Sequence, residues 1–526
     1  MIPDLLERLR STNVLASISA FSAAWMVMMA TRYFSLSAAD INGGIGIGSD
    51  DGSWLPTAYS ICERIGAVLG CWLALGLALR QVMLVSIALF MFASLLPMCA
   101  PGFPAVILSR ALEGLAAGAI LPLSFLTQLR AFGPARRALA IALFASSTTM
   151  GPQAAGLIDA WIVACFGWTA VFWASVVPGI VSLATGFAGF WKDSFRWRPL
   201  IDADLAGLLT LATALGLLAC GVSQGDRLRW LQSPATLILF AASGLSFVLF
   251  FAHEWHGIRH PVVSVSLTRR WNLALGIICT LPLQFATVFS GAIVPNALTD
   301  LQGYRPEQIA PALTAALWPQ CLSYATCVAI LHFRLIDTRA VLVAGLSIVA
   351  IGCFYDMPIT SDWIVANFNV GQIIQGLGLP LIIVPLLYIF VGEVSSREGA
   401  HAASIFNLSR SMSSTIATAW ATTSVRLYGQ DKYTELLSNT GFYPAGHRTT
   451  ITGIAARLAH VDPDPIRVHL QALQIVGETA RRQASVLAVS STLADLGWFL
   501  FASCVLVVLM AELGTGFPGR KGGTPT

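Results

Sequence analysis

Six ionisable side chains, Glu63, Arg64, Arg110, Glu113, Asp159 and Arg410, sit inside stretches of sequence that are otherwise apolar. A charge at the centre of a bilayer costs at least about 2.5–3.5 kcal/mol on insertion scales, so such residues need partners and are functional candidates. A carboxyl group withdrawn from water can exchange a proton near neutral pH, while a neighbouring guanidinium keeps its charge. Proton binding beside fixed cations is therefore the chemistry on offer. Arg110 and Glu113 are three apart, share a helical face and can pair, either as a proton-sensitive couple or as a structural pair that orients its helix. Glu63 and Arg64 are adjacent and point about 100° apart, so they are not expected to neutralise each other. One of them is expected to face a cavity and the other a neighbouring helix, with Glu63 the first choice for a titratable acid. Asp159 reads equally as a coupling acid or as a solvated acid at a helix end. Arg410 suits two roles, attracting an anionic substrate or pairing with an acid across the molecule.

These residues have to be held by membrane-spanning helices. Of 526 residues, 56% are hydrophobic and only 11% are charged, against about 25% charged in ordinary soluble chains. The mean hydropathy is +0.72. Disordered, fibrous and disulfide-stapled classes are excluded, and a net charge of +4 is too small to imply a nucleic-acid partner. A helix needs roughly 20 apolar residues to cross the hydrocarbon. The long continuous apolar runs fit helices rather than barrel strands. Spans are predicted at 14–35, 54–76, 82–100, 104–128, 137–163, 167–190, 203–223, 233–253, 271–294, 308–331, 338–355, 366–391, 400–425 and 492–511. The polar start, Met1 to Asn13, reads as a tail rather than a cleaved signal. Loop cations such as Arg80, Arg130, Arg136, Arg137, Lys192, Arg270, Arg334 and Arg339 gather on one side. Arg227, Arg229, Arg305 and the end-of-helix Arg32 lie on the other. By the positive-inside rule both termini are expected in the cytoplasm.

Other features carry less. The cysteines fall in apolar spans and behave as small packing residues, with no Cys-x-x-Cys pair. The Gly-rich run 41–49 lacks the Lys-Ser/Thr of a phosphate loop, and no nucleotide-hydrolysing signature or catalytic triad motif is recognised. No cofactor or metal is expected and the chain does not read as an enzyme. His253, His256 and His260 are spaced for one helix face, but Gly257 and Pro261 favour a loop there. Glycines and prolines interrupt three spans (Gly114, Gly118 and Pro122; Gly151, Pro152 and Gly156; Gly376, Gly378, Pro380 and Pro385), as hinges or as static kinks and close contacts. Trp25, Phe144, Trp318, Phe406 and Trp420 are candidates to line a cavity or to act as packing and interface anchors. The outer segment 426–491 is the one sizeable polar piece. Its apolar positions from Pro465 to Val486 have helical spacing, fit to cap the outer face or to contact a periplasmic adaptor protein.

An internal repeat organises the spans. "SRALEGLAAGAILPLSF" from Ser109 rhymes with "GQIIQGLGLPLIIVPLLY" from Gly371, and "ALAIALFASSTTMG" from Ala138 with "AHAASIFNLSRSMS" from Ala400. The fourth and fifth spans thus correspond to the twelfth and thirteenth, an offset of eight. Two six-helix bundles with two helices between them give that offset, the parallel-repeat design of a large transporter class. The domains are read as a tail at 1–13, a bundle at 14–190, two inserted helices at 191–255, a linker at 256–270, a second bundle at 271–511 and a tail at 512–526.

At this level of detail the chain resembles the 14-helix drug:proton antiporters of the major facilitator superfamily, the EmrB/QacA type, from about residue 14 to 512. "RALEGLAAGAILP" is similar to the family's Arg-x-x-Gln-Gly motif and supplies Arg110, Glu113, Gly114 and Gly118. "GPQAAG" resembles the start of its antiporter motif and supplies Gly151, Pro152 and Gly156. "FNLSRSMSSTIATAW" resembles its Asn-x-x-Arg stretch and supplies Asn407 and Arg410. "HPVVSVSLTRRWNLALG" and "GVSQGDRLRW" fit as well. The resemblance implies an all-α major facilitator fold in the bacterial inner membrane. It also implies alternating access, export of amphiphilic small molecules against protons, and an adaptor partner. Two departures stand out. The first-span acid of the family falls at Ala30, and the loop motif after the second span has become "CWLALGLALR", with only Arg80 kept.

Overall fold

The computed structural model describes residues 12–191, 204–255, 270–392, 394, 398–439, 445–458 and 464–509. Lys192, His256, His260 and most of the 256–270 linker lie outside them, as does nearly all of each terminal tail. Among the described residues every regular element is helical. The long helices are α1 (Thr12–Leu36), α2 (Trp54–Gly76), α3 (Leu79–Cys99), α4 (Phe103–Phe132), α5 (Arg137–Phe166) and α6 (Ala170–Gly189). Then come α7 (Leu205–Gly225), α8 (Pro234–Trp255), α9 (Trp271–Gln302), α10 (Pro306–Phe333), α11 (Thr338–Asp356), α12 (Val365–Gly392), α13 (Gly399–Asn439) and α14 (Pro465–Val508).

Eleven of these are long and apolar enough to cross a membrane. The other three, α2, α5 and α13, occupy predicted spans and carry Glu63, Arg64, Asp159 and Arg410. Asp204, Asp337 and Asp464 cap α7, α11 and α14 by accepting backbone N–H groups, which satisfies donors that the first helical turn leaves free. Gly303 ends α9 at φ 66°, a left-handed conformation that suits glycine.

Burial separates central helices from lipid-facing ones. In the most apolar stretch of α4 and of α12, 72% of residues are buried, against 17% in α8. The exposed face of α8 carries Leu237, Ile238, Leu245 and Val248, an apolar surface that only a lipid or protein neighbour can cover.

Helix α2 packs on α4, and α3 on α4; eight helices later, α10 packs on α12 and α11 on α12. The α2–α4 seam is very close. A Cβ at Gly114 would lie 2.3 Å from the Tyr59 carbonyl oxygen, and one at Gly118 would lie 2.0 Å from that of Glu63. From the other side, Gly66 meets the Leu115 carbonyl at 2.0 Å and Gly70 the Ala119 Cβ at 2.4 Å. Two Gly-x-x-x-Gly pairs therefore face each other, the small-residue device by which helices in lipid approach closely. Gly376 repeats the arrangement against the Ala316 carbonyl at 2.5 Å.

Pro122, Pro152, Pro380 and Pro385 all lie within helices that continue past them. Glycines read from the sequence as hinges or contacts thus sit here as contacts.

Candidate functional site

The halves meet around a small cavity lined by Glu63, Arg64 and Ala67 of α2, by Gly118, Leu121 and Pro122 of α4, and by Asn407, Leu408 and Ser411 of α13. Its volume is about 10 Å³, room for about one water molecule and far below the roughly 300–1,000 Å³ of sites that enclose drug-sized ligands. The conformation is closed around it.

Arg64 is 2% exposed and ties the halves together. Its guanidinium donates to the Ser60 carbonyl at 2.5 Å, to the Ser411 carbonyl of α13 at 2.8 Å, and to Thr415 Oγ1. It also pairs with Glu63 at 3.2 Å. The sequence expectation that neighbours on a helix cannot neutralise each other therefore fails here. The long arginine chain lets its head fold back to the adjacent carboxylate, although the two Cβ atoms diverge. Both residues, rather than one, line the cavity.

Arg410, on α13, is 8% exposed and makes no hydrogen bond or ion pair among the described residues; its Nε is buried without a partner. The charges of Glu63 and Arg64 reach it only through space. Asn407 donates to the Ala403 carbonyl at 2.9 Å and leaves its own carbonyl oxygen unpartnered.

Arg110 and Glu113 occupy a different place. They pair with each other and are 2% and 1% exposed. Glu113 also accepts a hydrogen bond from Ser94 of α3 at 2.6 Å. The Arg110 guanidinium lies 4.4 Å from the Phe34 ring centre and 4.3 Å from that of Tyr59, a cation–π sandwich. Four helices of the first half thus enclose the pair, and neither residue lines the cavity between the halves.

Asp159 is 1% exposed. The solvated helix-end alternative is corrected: Ser37, just after α1, donates to both carboxylate oxygens at 3.1 and 3.2 Å. Nearby, Arg32 donates at 2.5 Å to the Gly291 carbonyl in a π-turn of α9, a bond between the halves on the face expected to be outer. Gly156 of α5 adds a second crossing there, with Leu313 of α10 3.1 Å from where a Cβ would stand. Gly151 packs on α1, with Met28 at 3.2 Å. On the opposite face, Phe125, Phe144, Phe406 and Phe390 form a buried chain across the halves, with ring centres 4.9, 6.5 and 5.3 Å apart in the pairs 125–144, 125–406 and 390–406.

The other candidates divide. Trp420 packs against Phe285 and Trp25 against Phe21. Trp318 is 82% exposed and so lines no cavity; on an apolar helix that face belongs to lipid. His253 bonds Asp204 at 2.7 Å, and no group of metal-binding side chains exists among the described residues.

Sequence reading missed several polar residues. Asp356, at the end of α11, is fully buried with both carboxylate oxygens unpartnered, and Gln320 and Gln372 are fully buried with both amide atoms unpartnered. The charge on Asp356 was legible, but it falls one residue past the predicted span 338–355. Gly66 and Gly70 had a readable signal in their spacing of four.

Comparison with known proteins agrees with this architecture. Residues 20–259 match the family described as the Major Facilitator Superfamily. The human organic anion transporter MFSD10 (TETRAN) superposes with a TM-score of 0.56 at 11% identity, covering 94% of this chain and 99% of that one, a likeness of fold alone. The fold is thus that of a major facilitator. Among curated relatives, the multidrug export protein EmrB of Haemophilus influenzae is 24% identical over 414 residues, 78% of this chain and 80% of its own. The probable multidrug resistance protein EmrY of Escherichia coli is 25% identical over 417 residues, 77% and 78% of the two chains. Along about three quarters of its length the chain is thus similar to EmrB-type multidrug export proteins.

Proposed function

We propose that this protein exports amphiphilic small molecules from the cell in exchange for protons, by alternating access. Relatives named as multidrug exporters support the export. The single observation that carries the mechanism is the cavity between α2, α4 and α13, with a carboxylate and a guanidinium at its wall and closures between the halves on both sides. In this reading the bundles at 14–190 and 271–511 rock about that cavity, the 191–255 pair is an insertion, and both termini lie in the cytoplasm of a cell whose inner membrane holds the protein.

The proton candidates rank by place. Glu63 lines the cavity and Asp159 sits beside the outer closure, whereas Glu113 is enclosed by its own bundle and orients α4. Which acid carries the exchanged proton depends on the charge of the cargo. A cation would compete with a proton for Glu63. An anion held by guanidiniums would not, and Asp159 then carries the proton.

The adaptor partner has its own support. Helices α13 and α14 run 41 and 44 residues, about twice what a bilayer needs. Their surplus, with the short helix Ala445–Leu458 packed on α14, forms a helical projection on the outer side.

The test is efflux from proteoliposomes under an imposed pH gradient. Export that follows the gradient, with Glu63→Gln or Asp159→Asn keeping substrate binding but losing the response, is expected. Efflux indifferent to the gradient rules out proton exchange, and net uptake with the gradient marks a symporter.

A further inference from the structure

The inserted helices are fastened to both halves at one end, and the two fastenings differ in kind. Helix α7 lies along α2 of the first half: a Cβ at Gly216 would stand 3.4 Å from Ile61 and 4.0 Å from Ile65. At the end of α7, the buried Gln224 donates to the Ser53 carbonyl at 3.2 Å and to Thr57 Oγ1 at 2.7 Å. Its own oxygen accepts from Ser53 Oγ at 3.3 Å and from Arg227 at 2.7 Å. Two residues further on, the bonds turn to the other half. Asp226 accepts from Thr423 Oγ1 at 3.0 Å and from Arg426 at 2.9 Å, and the Trp230 indole N–H donates to Thr423 at 3.1 Å. Thr423 and Arg426 belong to α13. Residues 224–230 therefore join the start of α2 to α13, on the face where Arg32 bonds Gly291.

The turn that makes this link is strained. Arg229 and Trp230 hold φ of 58° and 52°, two of the three non-glycine residues with positive φ among the described residues. Such conformations persist only where their surroundings impose them, and they gather at clamps and switch regions. Here the indole is held by Thr423 and laid against Gly225, where a Cβ would meet the ring at 2.7 Å. Asp226 and Arg426 are 30% and 34% exposed, and an ion pair that wet is weak. The hold on α2 is thus a buried amide network, while the hold on α13 is aimed by a strained turn and light enough to let go.

We infer that the inserted pair, through its α7–α8 turn, is a clasp of the transport cycle. Helix α7 travels with the first half; Asp226 and Trp230 hold Thr423 and Arg426 while this face is shut, and release them when the halves part there. Both are positioning residues that touch no cargo. The inference rests on the alternating-access reading and gives the inserted helices a part in it.

Cross-links tell the two fastenings apart. In the full-length protein, with the exposed Cys99, Cys165 and Cys321 replaced by serine, Asp226→Cys/Arg426→Cys ties the turn to α13 and Ser53→Cys/Gln224→Cys ties α7 to α2. Efflux of ethidium and of dansyl-undecanoate from proteoliposomes is measured before and after a short bis-methanethiosulfonate reagent, and again after reduction, with the single variants as controls. The tie to α13 is expected to cut efflux at least tenfold, reversibly, and the tie to α2 to change it by less than twofold. Efflux that persists with the α13 tie, or falls equally with both, overturns the inference. A second measurement needs no tie and decides if a cysteine pair does not fold. Spin labels at Asp51→Cys, before α2, and at Leu427→Cys, on α13, both exposed, report the gap between the halves. Asp226→Asn/Trp230→Phe should at least double the share of long distances, and an unchanged distribution overturns the inference. The two levels of the reading separate here. Labels that part further in this variant of a protein that moves neither probe leave the clasp standing and sink export. Efflux that survives both ties does the reverse.

Discussion

Helices α4 and α12 are the same element used twice, with the same packing and different chemistry. Each has 72% of its most apolar stretch buried, and each rests on a helix two earlier through a glycine, Gly114 on Tyr59 and Gly376 on Ala316. At the matching positions α4 carries Arg110 and Glu113, whereas α12 carries Gln372 and Gln375. The charges of α4 are answered on the spot by each other, by Ser94 and by two aromatic rings. The amides of α12 are barely answered: Gln375 donates to the Ala286 carbonyl at 3.3 Å, and Gln372 has no partner. A buried ion demands compensation worth several kcal/mol, while a buried amide demands far less. The first half therefore reads as a rigid charged core and the second as one that tolerates loose polar ends. Close backbone contact is what the repeat retains.

The largest break in that comparison is the removal of one member of the α4 pair. Arg110→Ala strands the Glu113 carboxylate with Ser94 as its remaining partner, and breaking a buried pair costs about 3–5 kcal/mol. We expect little or no monodisperse protein by gel filtration of a fluorescent fusion. Gln372→Ala in α12 strands no charge and removes an amide that had no partner, so it should cost less and give near-normal yield. Equal losses at both sites would show that the charges of α4 are not what distinguishes the halves.

Next in size are the glycines. Gly118→Ala places a Cβ 2.0 Å from the Glu63 carbonyl oxygen, so α2 and α4 must move apart. Overpacking of this kind costs about 1–3 kcal/mol and lowers the thermal midpoint. Because Glu63 sits on the displaced backbone, proton-coupled efflux should fall further than stability. Gly376→Ala meets the Ala316 oxygen at 2.5 Å and should cost a similar amount of stability without that extra loss of coupling.

How much of this was readable beforehand follows from the kind of signal each feature leaves. Long apolar runs mark spans because lipid leaves helices no other covering, so all fourteen predicted positions hold helices, and the outer helix starting at Pro465 was visible in its periodicity. Residue type picked out Glu63 and Arg64, and the family motifs Gly118 and Asn407; the structure gathers all four at one cavity. Partnership was not readable. That Arg64 reaches Ser411 and Thr415, or that Arg32 reaches Gly291, depends on which helices of the two halves abut, and no local pattern encodes this. Nor could spacing tell that Glu113 turns towards Ser94 and away from the interface. Arg32 was legible as a charge at the outer end of its helix, a position that hid its burial.

The smallest expected effect sharpens the comparison most. The double variant Arg110→Gln/Glu113→Gln writes the α12 pattern into α4. It removes both charges together, so neither is left buried and unpaired, the condition that makes breaking a buried pair costly. Ser94 can still donate to the new amide at position 113, and the Phe34 and Tyr59 rings lose only their cation–π share, about 0.5–2 kcal/mol. The double variant should therefore lie within about 2 kcal/mol of the native protein and well above Arg110→Ala, by thermal midpoint in the same detergent. If it also exports with an unaltered response to the pH gradient, the pair is a structural strut and proton exchange belongs to Glu63 or Asp159. If stability returns but the response to the gradient does not, Glu113 takes part in coupling from inside its bundle, and the two halves differ in function as well as in how they are held together.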